Sequence, residues 1–182
     1  MPTLKQLRAR SLRRMRAYRR ARAAYLKAKR RLRRRPLRLK ALAEARKFIG
    51  VMEQGGNNRG PEVDKIIKAN GGVPGEPWCG DGLAYVYRLA GSKAVTREWA
   101  VVRWYGRIAG VRQIKEPEPG DIVRFRFDHV GMVETIHPAA IQTIEFNTGA
   151  TGAVSDSRKG GDGVYRKVRT PGQIRDYFRV SR

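Results

Sequence analysis

Apolar residues recur along this chain with two different periods, and the change from one to the other organises it. Within Ala41 to Met52, the residues Leu42, Ala45, Phe48, Ile49 and Met52 fall on one side of a helix that Gly55-Gly56 ends. Pro61 sits at a first helical position ahead of Glu62 to Ala69, and Asn70-Gly71-Gly72 closes that second segment. A loop over 73–77 delivers Trp78 and Cys79 to a third helix running through Leu83, Val86, Tyr87 and Ala90 and stopped by Gly91. A fourth helix is predicted over 97–108, carrying Trp99, Trp104 and Tyr105. Beyond it the period falls to two. Residues 121–127, 130–136, 140–146, 164–168 and 175–180 are short β-branched or aromatic runs separated by Pro, Gly and Asp, and they read as antiparallel strands. Helices first and strands second predict an α+β domain with the helices packed on one face of a sheet.

The first 40 residues follow neither pattern. Between Leu4 and Arg35 there is no glycine or proline, and Arg, Lys, Ala and Leu predominate, all good helix formers. Leu4, Leu7, Met15, Tyr18, Tyr25 and Leu32 keep near a three-four spacing, with Leu12 on the flank, so a thin apolar stripe runs along a helix otherwise sheathed in arginine. Pro36 breaks the run. The domains read from this are an Arg-rich cationic arm, 1–40, and a globular domain, 41–182.

Charge sharpens that division. The chain of 182 residues carries 40 Lys+Arg and 16 Asp+Glu, a net of +24. Residues 1–40 hold 18 of the basic residues and no acidic one, which leaves 22 basic against all 16 acidic residues for the remainder, a net of +6. Repulsion among the like charges predicts an arm that is helical against an anionic partner and frayed or disordered without one. Nucleic acid, an anionic membrane surface and an anionic cell-wall polymer all reward the same charge density, so the sequence does not choose among them. A solubilising tail or a degenerate leader is the functionless alternative.

Several classes drop out. No stretch approaches the roughly 18 apolar residues of a membrane span. The basic first 40 residues lack the apolar region of a secretory signal, so synthesis in a cytoplasm without an export signal of its own is expected. Cys79 is the only cysteine, which excludes an internal disulfide framework and cysteine-clustered metal sites, and two histidines, His129 and His137, argue against a histidine-rich metal site.

A lone cysteine is usually a small buried apolar residue. Cys79 instead follows Pro77-Trp78 at a predicted helix start, where free N–H groups and the helix dipole stabilise negative charge on the sulfur and on an oxyanion beside it. Gly80 is read as leaving space for a substrate chain, and Asp81 as a helix cap. A thiolate hydrolase also needs an imidazole to carry the proton and a third group to orient it. His129 opens a strand in GDIVRFRFDHVGMVE after a hairpin turn, whereas His137, ahead of Pro138, reads as a surface turn residue. In IQTIEFNTGA, Glu145 and Asn147 point to one face of a strand, and either could meet the imidazole of a neighbouring strand. An edge-strand histidine and solvent-facing polar residues are the structural alternative.

The order Pro77-Trp78-Cys79, then Pro119-Gly120-Asp121-Ile122-Val123 leading into His129-Val130-Gly131, then Thr143-Ile144-Glu145-Phe146-Asn147-Thr148 resembles the CHAP family of cysteine, histidine-dependent amidohydrolases and peptidases. The resemblance covers roughly residues 42–180. It implies a minimal papain-like core and cleavage of peptidoglycan amide bonds, with Cys79 as nucleophile, His129 as base, and Glu145 and Asn147 completing the site. Trp78, Gly80 and Trp104 are the candidate substrate-binding residues. Two departures stand out: Phe146 replaces the usual glycine between the glutamate and the asparagine, and Gly80-Asp81-Gly82 replaces an Ala-rich helix start. Some relatives bind calcium through acidic residues around the cysteine. Here only Glu76 and Asp81 are near, too few oxygen ligands, so neither metal nor cofactor is expected.

The function expected from this resemblance is a monomeric peptidoglycan amidase or endopeptidase similar to phage endolysins. It would be held in the host cytoplasm until lysis, or carried in the virion, with bacterial peptidoglycan as partner and the arm attached to an anionic polymer or membrane. The alternative is a nucleic-acid-binding or virion structural protein with an inactive CHAP-like domain. Charge placement separates the two, because a specific nucleic-acid reader carries its basic residues and aromatics on a folded face rather than in one arm.

Overall fold

The structure, a computed structural model, describes residues 3–100, 102–150 and 162–181, without the side chains of 7–9, 28–34 and 102–104. The chain divides into two units, Met1–Arg35 and Pro36–Arg182. The first is one helix, α1 (Leu4–Arg34), whose described side chains are all exposed. The side chains of Leu7 and Leu32, counted in the predicted stripe, lie outside the described residues.

In the second unit the helices come first. They are α2 (Leu37–Ala45), continued by a 3-10 turn Arg46–Phe48, α3 (Pro61–Ala69) and α4 (Cys79–Leu89). The globular unit begins at Pro36 rather than at 41, because Leu37 already packs in the core with Ala41, Leu42 and Ala45. Pro61 occupies the first helical turn of α3, where its missing N–H costs nothing, and Gly71 with φ 78° turns the chain out at the other end. The helix predicted over 97–108 is instead a pair of 3-10 turns, Arg97–Ala100 and Val102–Arg107. Trp99 and Tyr105 are fully buried in this segment, and tertiary packing of their rings overrides the helical spacing.

Among the described residues six strands follow: β1 (Val111–Ile114), β2 (Ile122–Phe125), β3 (Val130–His137), β4 (Ala140–Thr148), β5 (Gly163–Arg169) and β6 (Ile174–Val180). They form one antiparallel sheet in the order β1-β6-β2-β3-β4-β5. Strand β1 was not foreseen in the sequence; its Arg-Gln centre, exposed in the sheet edge, gives it little alternation. The mixed helix-and-sheet architecture is the expected α+β class.

Alternation sorts the strand residues by face. Ile122, Val130, Met132, Ile144, Phe146 and Phe178 join the helices in the main core. Val123, Phe125, Val133 and Ile141 form a smaller cluster with Phe127, Ile174 and Tyr177. At about 25 cal/mol per Å2 of apolar surface, the larger cluster is the main source of stability. The Pro119-Gly120-Asp121 segment ties the layers together. Tyr87 of α4 donates a hydrogen bond to the Gly120 carbonyl, Arg38 of α2 donates to the Pro119 carbonyl at 2.8 Å, and buried Asp121 accepts from Arg179 at 2.6 Å. No helix among the described residues is long and apolar enough to cross a membrane.

Candidate active site

Cys79 is the first residue of α4 and is only 2% exposed. Trp78 takes the N-cap position without supplying a side-chain cap, so the N–H groups of the first turn have no intrahelical acceptor. Asp81 is no cap. It is fully buried in the first turn, where Oδ1 accepts from Asn70 Nδ2 at 2.6 Å and lies 3.5 Å from Arg97 Nη1. Glu76 pairs with the same Arg97 at 2.6 Å.

His129 ends the short loop between β2 and β3. Its N–H donates to the Phe127 carbonyl at 2.7 Å and its carbonyl accepts from Phe125 N–H at 3.1 Å, which fixes the imidazole immediately ahead of β3. The ring is buried and lies nearly parallel to Phe125 and Phe127, with centroids 5.7 and 6.1 Å away. Nε2 stands 3.1 Å from Glu145 Oε2, but its N–H is not aligned on that oxygen, so the contact is an ion pair rather than a directed hydrogen bond. Nε2 faces Glu145, while Nδ1 is buried without a hydrogen-bond partner. Burial pushes the imidazole pKa down, yet Cys79 and Glu145 outweigh burial and raise it from 6.5 to about 9.

Glu145 is held in turn. Oε1 accepts from the Thr143 hydroxyl at 2.6 Å and from Arg169 Nε at 2.8 Å, and Oε2 accepts from Arg169 Nη2 at 2.6 Å. Burial pushes its carboxyl upward, but the Arg169 guanidinium and then His129 overcome this and hold the pKa at about 2. The guanidinium also lies over the Phe125 and Phe127 rings, 5.0 and 5.2 Å from their centroids. Gly131 makes room for the carboxylate, since a Cβ there would come within 2.8 Å of Glu145 Cγ. The structure thus buries three of the predicted residues in one neighbourhood, Glu145 against His129 and Cys79 near enough to act on the imidazole.

Asn147 does not join them. Its φ of 54° and a register shift between β4 and β5 break the alternation that would place it beside Glu145. Its Oδ1 accepts from Trp78 N–H at 3.1 Å, and its Nδ2 donates to Asn58 Oδ1 at 2.8 Å and Glu53 Oε1 at 3.1 Å. Asn147 therefore braces the backbone leading into Cys79 instead of the imidazole.

The substrate-binding candidates are also corrected. Trp78 is fully buried, donates from Nε1 to Glu53 Oε1 at 2.9 Å and packs edge-on against Phe146, so it belongs to the core rather than a cleft wall. Gly80 leaves no space for substrate, because the Trp99 carbonyl oxygen occupies the position a Cβ would take. The side chain of Trp104 lies outside the described residues. His137, as expected, is exposed at the end of β3.

Four residues were missed by sequence reasoning: Arg169, Thr143, Glu53 and Asn58. Thr143 and Glu145 stand two apart on β4, and Phe125, Phe127 and His129 keep the same spacing in FRFDH, a pattern that marks one shared face. Arg169 and Glu53 had no such mark in a chain this rich in charge.

Among the described residues, the buried side-chain polar atoms without a hydrogen-bond partner are Asp81 Oδ2, the Tyr105 hydroxyl and both ring nitrogens of His129. Burial raises the Tyr105 pKa well above 10, and the nearby Cys79 and Asp81 add to it. All these atoms therefore belong to the surroundings of Cys79. Comparison of the chain with protein-family models, curated proteins and solved structures finds no match.

Proposed function

We propose that this protein is a thiol-dependent amide hydrolase acting on the peptide portion of bacterial peptidoglycan, built on a papain-like core similar to that of the CHAP family. The observation that carries the reading is the buried neighbourhood of Cys79 at a helix start, His129, and Glu145 locked by Arg169. The motif order in the sequence supports the substrate class.

In the first step the Cys79 sulfur attacks the amide carbonyl carbon with its proton already held on His129, whose pKa is raised to about 9 and which is therefore an imidazolium at neutral pH. The carbonyl electrons move to an oxyanion beside the N–H groups of the first turn of α4. The tetrahedral intermediate collapses, the C–N bond breaks, and His129 returns the proton to the leaving amine. Water, deprotonated by His129, then attacks the thioester; the carboxylate leaves and the thiol is restored. Glu145 stabilises the imidazolium, both at rest and when it re-forms in the second half-reaction, and remains ionised throughout.

The cationic arm fits a phage lysin, made in the host cytoplasm and released to the wall at lysis, whose arm attaches it to an anionic surface. The test is release of soluble fragments from purified peptidoglycan by the wild type and by Cys79→Ser. Release by the wild type alone supports the reading. No release from several peptidoglycan types by folded, reduced wild-type protein moves the function to a binding or structural role.

A further inference from the structure

Helix α1 spans 31 residues, about 46 Å at 1.5 Å per residue. Its apolar side chains are exposed: Leu4 67%, Leu12 53%, Met15 51%, Tyr18 66% and Leu26 47%. Leu4, Met15 and Leu26 are spaced by eleven residues, close to three turns, and so form one line along the helix. Tyr18 and Leu12 flank that line on either side, and the five residues together occupy an arc of about 120°. Arg13, Arg20 and Lys27, exposed as well, lie on the opposite side. By sequence position six basic residues, Arg8, Arg19, Arg22, Lys29, Arg30 and Arg33, also fall within the apolar arc, where long aliphatic stems can lie along an apolar surface and lift their charges to its rim.

We propose that α1 lies in the interface of an anionic lipid bilayer, with the Leu4–Met15–Leu26 line inserted among the acyl chains and the arginines on headgroup phosphates. Charge complementarity requires an anionic partner, since residues 1–40 carry no acidic residue. The apolar line then selects lipid. A nucleic acid or a wall polymer would satisfy the arginines and leave five large apolar side chains in water, whereas a bilayer satisfies both faces at once. The inference is independent of the chemistry at Cys79.

The experiment uses the full chain and a triple variant, Leu12→Gln, Met15→Gln and Leu26→Gln, which keeps the net charge. Each is sedimented at physiological salt with phosphatidylcholine vesicles, with and without phosphatidylglycerol, and each is titrated with a short DNA duplex. The proposal expects the wild type to bind the anionic vesicles only. It expects the variant to lose roughly tenfold or more in vesicle affinity while its DNA affinity is unchanged. Equal vesicle binding by variant and wild type, failure of the wild type to prefer anionic vesicles, or a parallel loss of DNA binding in the variant would each overturn it.

Discussion

The phenyl ring of Phe146 fills the space beside Gly82 that any larger residue would need, since a Cβ at position 82 would overlap Phe146 Cγ and Cδ1. Phe146 and Gly82 are therefore halves of one packing solution: a large residue between Glu145 and Asn147 and no side chain on the facing turn of α4. The ring also packs edge-on against Trp78 at 5.9 Å, which joins β4 to the helix start that presents Cys79. Gly82→Ala is expected to lower stability by about 1–3 kcal/mol despite alanine's better helix propensity. Adding Phe146→Leu should recover part of that loss, so that the double variant is more stable than the sum of the single effects. Urea unfolding of the four proteins measures the coupling.

The Glu145–Arg169 pair is buried on both sides, and removing one partner leaves a charge with little water to receive it. Arg169→Met is expected to cost about 3–5 kcal/mol in unfolding free energy. Combining it with Glu145→Gln should restore much of the stability, because the uncompensated carboxylate is gone. Activity should not return with it, since the imidazole then lacks its anion.

The pH dependence of stability follows from the sign of each shift. His129 has a folded pKa of about 9 against 6.5, so it contributes stability that is fully present below pH 6.5 and lost as pH rises through 9. Glu145, held near 2, contributes stability present above about pH 4.5 and lost as pH falls through 2. The Cys79→Ser variant should titrate His129 at lower pH than the wild type, as read from its imidazole NMR resonance, because Cys79 is among the groups that raise it. An unchanged His129 titration would mean that the two side chains do not interact.

Asp81 behaves in the opposite sense from a paired carboxylate. Burial, opposed by the Asn70 hydrogen bond and by Arg97, raises its pKa from 3.8 to about 6. Its stabilising contribution is complete below pH 3.8 and is lost as pH rises through 6. Asp81→Asn keeps an acceptor for Asn70 and is expected to be the more stable protein at pH 7, by a few kcal/mol at most. Thermal unfolding at pH 4 and pH 7 checks this, the difference between the two proteins growing with pH.

Where a local rule governed the chain, the sequence was informative. Periodicity placed the start of α3 at Pro61, the end of α4 before Gly91, and most of β3 and β4, because Pro, Gly and strict alternation act through nearest neighbours. It failed where tertiary contacts decide. Trp99 and Tyr105 pull 97–100 and 102–107 into 3-10 turns, Leu37 extends the globular unit to an earlier start, and the edge strand β1 carries no alternation to read. The site divides in the same way. Cys79, His129 and Glu145 were legible as residue types in helix-start and strand positions. Asn147 was misplaced because a left-handed residue at a register shift cannot be seen as such in an alternating string. Arg169 was invisible because its importance lies in burial, which 40 basic residues gave no way to anticipate.

The most direct test of a Cys79-centred amide hydrolase is mass spectrometry of the fragments formed when purified peptidoglycan is incubated with wild type and with Cys79→Ser. The account predicts fragments from the wild type alone, each carrying one water added across an amide bond, with a new amine and a new carboxylate at the cut. Fragments with new reducing sugar ends, or the same amide products from Cys79→Ser, would contradict it.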